Sequence, residues 1–138
     1  MTYRFNFRDV LAQFDMLLDG ALLTLQLSAI TMIFGLLLGV VGALARSWGP
    51  APVRFAAASY VEAVRNTPLL IQLFLVFFGL PSAGIRLSAD TAAMVALAIN
   101  LGAYSTEIIR AGIQSIHKSQ VEAGLSLGLS RLQVFRYV

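Results

Sequence analysis

The sequence predicts an all-α membrane protein: three transmembrane helices, a short cytoplasmic helix after the third, and the N-terminus outside. Three observations predict it. Of 138 residues, 58% are hydrophobic and only 12% are charged, with a mean hydropathy of +0.79; a soluble domain carries about 25% charged residues. Apolar stretches of span length occur three times. The basic residues are also unevenly spread over the segments between them. Arg46, Arg54, Arg65, Arg110, Lys118, Arg131 and Arg136 fall on one side, and Arg4, Arg8 and Arg86 on the other. The side richer in arginine and lysine is cytoplasmic.

Residues 1–19 mix apolar side chains with Arg4, Arg8, Asp9, Asp15 and Asp19. Val10, Phe14, Leu17 and Leu18 share one helical face, so this segment is expected to be an amphipathic helix at the interface. The aspartates before the first apolar run argue against a cleavable signal peptide. Residues 20–45 carry no charge. As a helix they reach about 39 Å, enough to cross a hydrocarbon core of about 30 Å. Gly35, Gly39 and Ala43 form a stripe of small residues that admits a close neighbour, expected within the same chain. Residues 46–54 form the first loop, with Gly49, Pro50 and Pro52 as breakers.

The second span, about 55–80, is not a clean run. Glu62 and Arg65 stand three apart and can pair on one face. That pair suits either a structural role or a gate. Pro68 has no N–H and disfavours helix before it; Thr67 as N-cap with Pro68 at the first helical position predicts a break and restart. Gln72 then lies inside the membrane. Ser88 is placed to cap the third span, about 89–110. Asn100 sits near its middle, where an amide serves either a neighbouring helix or a solute path. Tyr104, Glu107 and Arg110 follow, Glu107 and Arg110 again at i, i+3.

Beyond the third span, Ser119 and Glu122 have the S-x-x-E form of a capping box, Gly128 can stop the helix in a left-handed turn, and Ser130 with Gln133 restarts one. Val121, Leu125 and Leu129 form an apolar stripe, and Gly124 with Gly128 leaves backbone bare for close approach. The chain has no cysteine and a single histidine, His117, expected to be a solvated loop residue. No phosphate-binding G-x-x-x-x-G-K-[ST], H-E-x-x-H or G-x-S-x-G occurs, so no enzyme, metal or cofactor reading has residues to rest on. A net charge of +3, scattered along the chain, gives no nucleic-acid reading.

Glu122-Ala123-Gly124 followed by Gly128 resembles the EAA loop of ABC importer permeases. Glu62, Arg65, Thr67-Pro68-Leu69-Leu70 and Gln72-Leu73-Phe74 are similar to the polar amino-acid branch of that family (histidine, glutamate, glutamine, arginine and opine types). So are Gly102-Ala103-Tyr104, Glu107, Arg110, Gly112 and Ser115-Ile116. The resemblance implies a multi-pass permease domain over residues 20–138 in a bacterial inner membrane, with a coupling loop at 117–130. It implies an ATPase subunit, an extracytoplasmic solute-binding protein, a second permease subunit and membrane lipid as partners, with ATP hydrolysis on the separate ATPase. Glu122, Ala123, Gly124, Leu125 and Gly128 would couple to that ATPase. Glu62, Arg65, Thr67, Pro68, Gln72, Asn100, Tyr104, Glu107 and Arg110 would line the translocation path or its gate. The family pattern has five spans, and its Leu-Pro would follow Val138, so the chain is expected to be a permease truncated within or just after the loop. Gly124 stands where the pattern has alanine, which loosens a helix by about 1 kcal/mol. The contrasting expectation is a three-span structural or adaptor protein without transport activity of its own.

Overall fold

A computed structural model describes residues 12–137. Among these residues the regular structure is helical throughout: α1 Phe14–Trp48, α2 Ala51–Arg65, α3 Leu69–Phe74, a π-helical turn Leu75–Gly79, α4 Leu80–Ser82, α5 Ala89–Ser115, α6 Lys118–Ser126 and α7 Arg131–Tyr137. Residues 1–11 of the expected interfacial segment lie outside the described residues. From Phe14 onward there is no break at Gly20; one helix of 35 residues, about 52 Å, runs through both the expected segment and the first span.

Helix α1 is apolar on nearly every side, and most of its leucines and its Phe34 are exposed. A helix apolar all round is suited to lipid, not water. Its buried positions are Thr31, Gly35, Gly39 and Ala43, one every fourth residue, and they face α5. A Cβ on Gly35 would meet Leu101 at 2.7 Å, and one on Gly39 or Gly42 would run into Ser105 or Thr106. From α5, Gly102 approaches Leu38 and Tyr60 as closely. The stripe of small residues thus packs within the chain, as expected, and the Thr106 hydroxyl, which donates to the Gly102 carbonyl of its own helix at 2.7 Å, also lies 3.3 Å from the Gly39 carbonyl across the seam.

Along this seam Gly35 lies against Leu101, Gly39 against Ser105, and Arg46 against Glu107. Residue numbers rise together, so α1 and α5 are parallel neighbours. The chain leaving Trp48 must therefore travel back along the bundle before α5 begins at Ala89. Among the described residues only α1 and α5 are singly long and apolar enough to cross a membrane; the return is the pair Ala51–Arg65 and Leu69–Ser82, bent by 106°. The loop before it is shorter than the expected 46–54. Arg46 and Ser47 remain in α1, and only Gly49 and Pro50 separate the helices. Pro50 is the N-cap residue and Pro52 falls in the first turn, where its missing N–H costs nothing. The π turn precedes Pro81, whose ring in a regular helix would collide with the Phe77 carbonyl. Ser88 caps α5, its Oγ accepting from the Thr91 N–H at 3.3 Å.

Candidate functional site

The bend has a specific anatomy. A regular helix through Pro68 would need a Pro68 N–H to satisfy the Val64 carbonyl, and proline has none. The buried Gln72 side chain supplies the donor instead: its Nε2 donates to Val64 O at 2.8 Å and to Thr67 O at 2.7 Å. Its Oε1 accepts from Asn100 Nδ2 on α5 at 3.3 Å. One amide therefore satisfies the backbone opened by the break and ties the break to the middle of α5. Thr67 does not act as N-cap. Its hydroxyl donates back to Ala63 O at 2.7 Å, Pro68 takes the N-cap position, and α3 begins at Leu69. The hydroxyl finishes α2 because the carbonyls at that end lack partners.

Asn100, Tyr104, Glu107, Ala111 and Gln114 follow at i, i+4, i+7, i+11 and i+14, which places them on one face of α5. Each polar member has a distinct partner. Asn100 holds Gln72. The Arg65 guanidinium lies over the Tyr104 ring, 5.4 Å from its centroid. Glu107 is bound by two arginines, Arg110 one turn on and Arg46 from the last turn of α1. Arg110 Nε reaches Glu107 Oε1 at 3.1 Å, and Arg110 Nη1 reaches Gln114 Oε1 at 2.7 Å. The polar face thus runs from the centre of α5 to its cytoplasmic end.

The structure corrects the Glu62–Arg65 pairing. Among the described residues the ion pairs are Arg46–Glu107 and Arg110–Glu107 alone; Arg65 is drawn aside onto Tyr104, and exposed Glu62 has no bonded partner. Two participants were not legible as such. Arg46 is 61 positions from Glu107 in sequence. The Tyr60 hydroxyl donates to the Ile99 carbonyl at 2.6 Å and fixes α2 against α5.

The cytoplasmic hairpin is separate from this polar face. Helix α6 starts earlier than the Ser119–Glu122 capping box predicts: His117 is the N-cap residue, and its N–H donates to Gln120 Oε1 at 3.1 Å. Ser119 and Glu122 are therefore inside the helix, and His117 is exposed between α5 and α6, as expected of a solvated loop residue, while also standing at the N-cap position. The stop is as expected. Gly128 has φ +80°, its N–H donates to Leu125 O at 2.9 Å, and the Leu129 N–H donates to Gly124 O at 3.2 Å. Those two bonds make a complete Schellman motif. Ser130 and Gln133 exchange both bonds of the second capping box, at 2.8 and 3.3 Å. Glu122, Ala123 and Leu125 are exposed, whereas Gly124 is buried. The bare strip expected from Gly124 and Gly128 is thus reduced to Gly128, because Gly124 faces inward in the hairpin that α6 makes with α7. A surface cleft of about 300 Å³ lies beside α6, lined by Ile113, Ile116, Lys118, Val121 and Glu122.

Residues 32–138 match the family described as binding-protein-dependent transport system inner membrane component. The chain is 38% identical over 137 residues to the glutamine transport system permease protein GlnP of Escherichia coli K12, covering 98% of this chain and 63% of that protein. It is 40% identical over 120 residues to the L-cystine transport system permease protein TcyB of Bacillus subtilis 168, covering 86% of this chain and 51% of that one. A crystal structure of an amino acid ABC transporter with histidines superimposes with a TM-score of 0.86 at 39% identity, covering 99% of this chain and 64% of the other. The chain thus spans between half and two thirds of the length of these relatives.

Proposed function

The chain belongs to the family of binding-protein-dependent transport system inner membrane components, and from that membership we propose that it is a membrane-spanning permease subunit of an ATP-driven importer for polar amino acids. It works beside a second permease subunit, receives solute from an extracytoplasmic binding protein, and draws on ATP hydrolysis by a separate ATPase subunit. The observation that carries this reading is the polar face of α5. Amide, phenol, carboxylate and guanidinium groups line one side of a membrane-length helix, opposite a helix broken at the same depth. Such groups are costly against lipid and face an interior or a watery path. In this reading Glu62, Arg65, Asn100, Tyr104, Glu107 and Arg110 border the path. Thr67, Pro68 and Gln72 hold the break beside it. Glu122, Ala123, Leu125 and Gly128 present the α6 hairpin to the ATPase, with Gly124 buried beneath them.

The test is ATP-driven uptake of labelled amino acids into proteoliposomes holding the assembled importer. Gly128→Val puts a β-branched residue at φ +80°, a genuine outlier for that type. The expected result is normal membrane insertion with lost ATPase recruitment and lost uptake. Glu122→Gln is expected to lower uptake by removing a charge that the ATPase reads, since Glu122 caps nothing in α6. Normal recruitment and uptake by the Gly128→Val protein would overturn the docking assignment. Absence of uptake of any polar amino acid by the unaltered importer would overturn the function.

A further inference from the structure

At the cytoplasmic end of α1 the chain turns a tight corner. Only Gly49 and Pro50 separate α1 from α2. The Gly49 N–H donates to Ala45 O and the Arg54 N–H to Pro50 O, each at 3.0 Å. A Cβ on Gly49 would strike the Ala45 carbonyl and crowd Val53. The backbone on the two sides of the corner, at Trp48 and at Arg54, is therefore held in one relation. Trp48 is 67% exposed and Phe55 75%. Arg54 is exposed too, and its guanidinium makes no hydrogen bond or ion pair with any described residue. No acid occurs in the sequence between Asp19 and Glu62 to offer it a carboxylate. The neighbouring charges add to the imbalance. Arg46 and Arg110 share Glu107, two cations on one carboxylate, so this end of the α1–α5 pair keeps one positive charge in excess.

These features decide what meets the corner. The exposed leucines and valines of α1 continue without a charge to Leu44, and Trp48 lies one turn beyond. The corner thus prolongs a lipid-facing surface to the point where it meets water. Aromatic rings favour that boundary, and an arginine stem can lie along it with its charged head toward the phosphates. The cytoplasmic leaflet supplies the anion, because its acidic lipids give it a negative surface potential. A soluble subunit would have to displace lipid from the last turn of α1 to reach the same rings.

We propose that the α1–α2 corner binds an anionic phospholipid of the inner leaflet, with Arg54 taking the headgroup phosphate and Trp48 and Phe55 lying beside the upper acyl chains. The lipid pins the start of the broken span to the inner surface of the membrane.

Trp48 is the one tryptophan of the 138 residues and serves as the probe. The complete permease subunit, with any tryptophan outside these residues replaced by phenylalanine, is reconstituted in phosphatidylcholine vesicles. A minor fraction of the lipid carries bromine near the top of its acyl chains, on either phosphatidylglycerol or phosphatidylcholine. Bromine in contact with the indole quenches its fluorescence. At equal mole fraction and low salt, brominated phosphatidylglycerol should quench about fivefold more effectively, the enrichment that one arginine brings at an anionic surface. Salt of about 1 M should shrink the preference. Arg54→Gln should bring it below about twofold, whereas Arg54→Lys, which keeps the charge, should retain most of it. Equal quenching by the two lipids in the unaltered protein, or a full preference in Arg54→Gln, overturns the proposal. Failure of either lipid to quench, or quenching lost when the ATPase subunit is added, assigns the corner to protein and overturns it as well. The first comparison involves no change at the corner, so a variant that fails to fold leaves it decisive. No uptake is measured, so the outcome is separate from that of the importer reading.

Discussion

Replacing Gln72 by leucine keeps the side chain's bulk and removes its hydrogen bonds. The Val64 carbonyl retains the Thr67 N–H at 3.2 Å, but Thr67 O has no second donor among the described residues. An orphaned buried carbonyl costs about 1–3 kcal/mol. The lost Asn100 contact adds about 0.6 kcal/mol, the average for hydrogen bonds between membrane helices, with an upper value of about 1.7. We therefore expect Gln72→Leu to destabilise the protein by about 2–4 kcal/mol. The assay is unfolding in mixed micelles on titration with a denaturing detergent, followed by loss of helical circular dichroism. Asn100→Leu alone should cost only the smaller amount, and it should add almost nothing on top of Gln72→Leu, since its partner is already gone. Gln72→Glu should be worse than leucine while ionised, because a carboxylate accepts only and would face two carbonyls. If Gln72→Leu unfolds within about 0.5 kcal/mol of the unaltered protein, the glutamine does not hold the bend.

Three other outcomes follow from the packing and topology. Gly39→Leu should cost about 2 kcal/mol or more, since even a Cβ there collides with Ser105, whereas Gly20→Ala, with open space around it, should gain about 0.5–1 kcal/mol; the same unfolding titration reads both. Glu107→Gln should destabilise the cytoplasmic end by leaving Arg46 and Arg110 without their shared carboxylate, and Arg46→Gln in the same protein should recover part of the loss; no recovery would mean that Arg46 contributes little. Because the chain has no native cysteine, single cysteines at Trp48, Ser82 and Ser119, all exposed, report topology to an impermeant maleimide. Only Ser82→Cys should label from outside, and any other pattern contradicts the three crossings.

What was legible in the sequence depended on how far apart the interacting residues lie. The Gly128 stop and the Ser130–Gln133 box are set within four residues, and both are present. The Ser119–Glu122 box failed because an equally local competitor, His117 with Gln120, starts the helix two residues sooner. Pro68 announced the break. It did not announce how the break is satisfied, because Gln72 reaches backbone eight and five residues behind it that only a bent chain brings near. The Glu62–Arg65 spacing suggested a pair, but a helix-surface rule cannot foresee an aromatic ring arriving from α5. Arg46 was read as a loop cation because its partner is 61 residues away. The spacing of Gly35, Gly39 and Ala43 did reveal a seam, since small residues every fourth position have one physical use, close approach.

The parallel course of α1 and α5 also has a consequence in time. The Gly39 carbonyl meets, across the seam, the hydroxyl of a threonine 67 residues further along the chain. At a synthesis rate of about 5–20 residues per second, roughly 3 to 13 s pass between the making of the two residues. Through that interval the first helix holds an unfilled groove of glycines toward the bilayer, and α2 emerges before the helix that fills it. Any other small-residue helix inserted nearby competes for the groove meanwhile. Slowing translation between codons 48 and 105 should therefore lower the yield of correctly assembled protein, though the finished structure is unchanged.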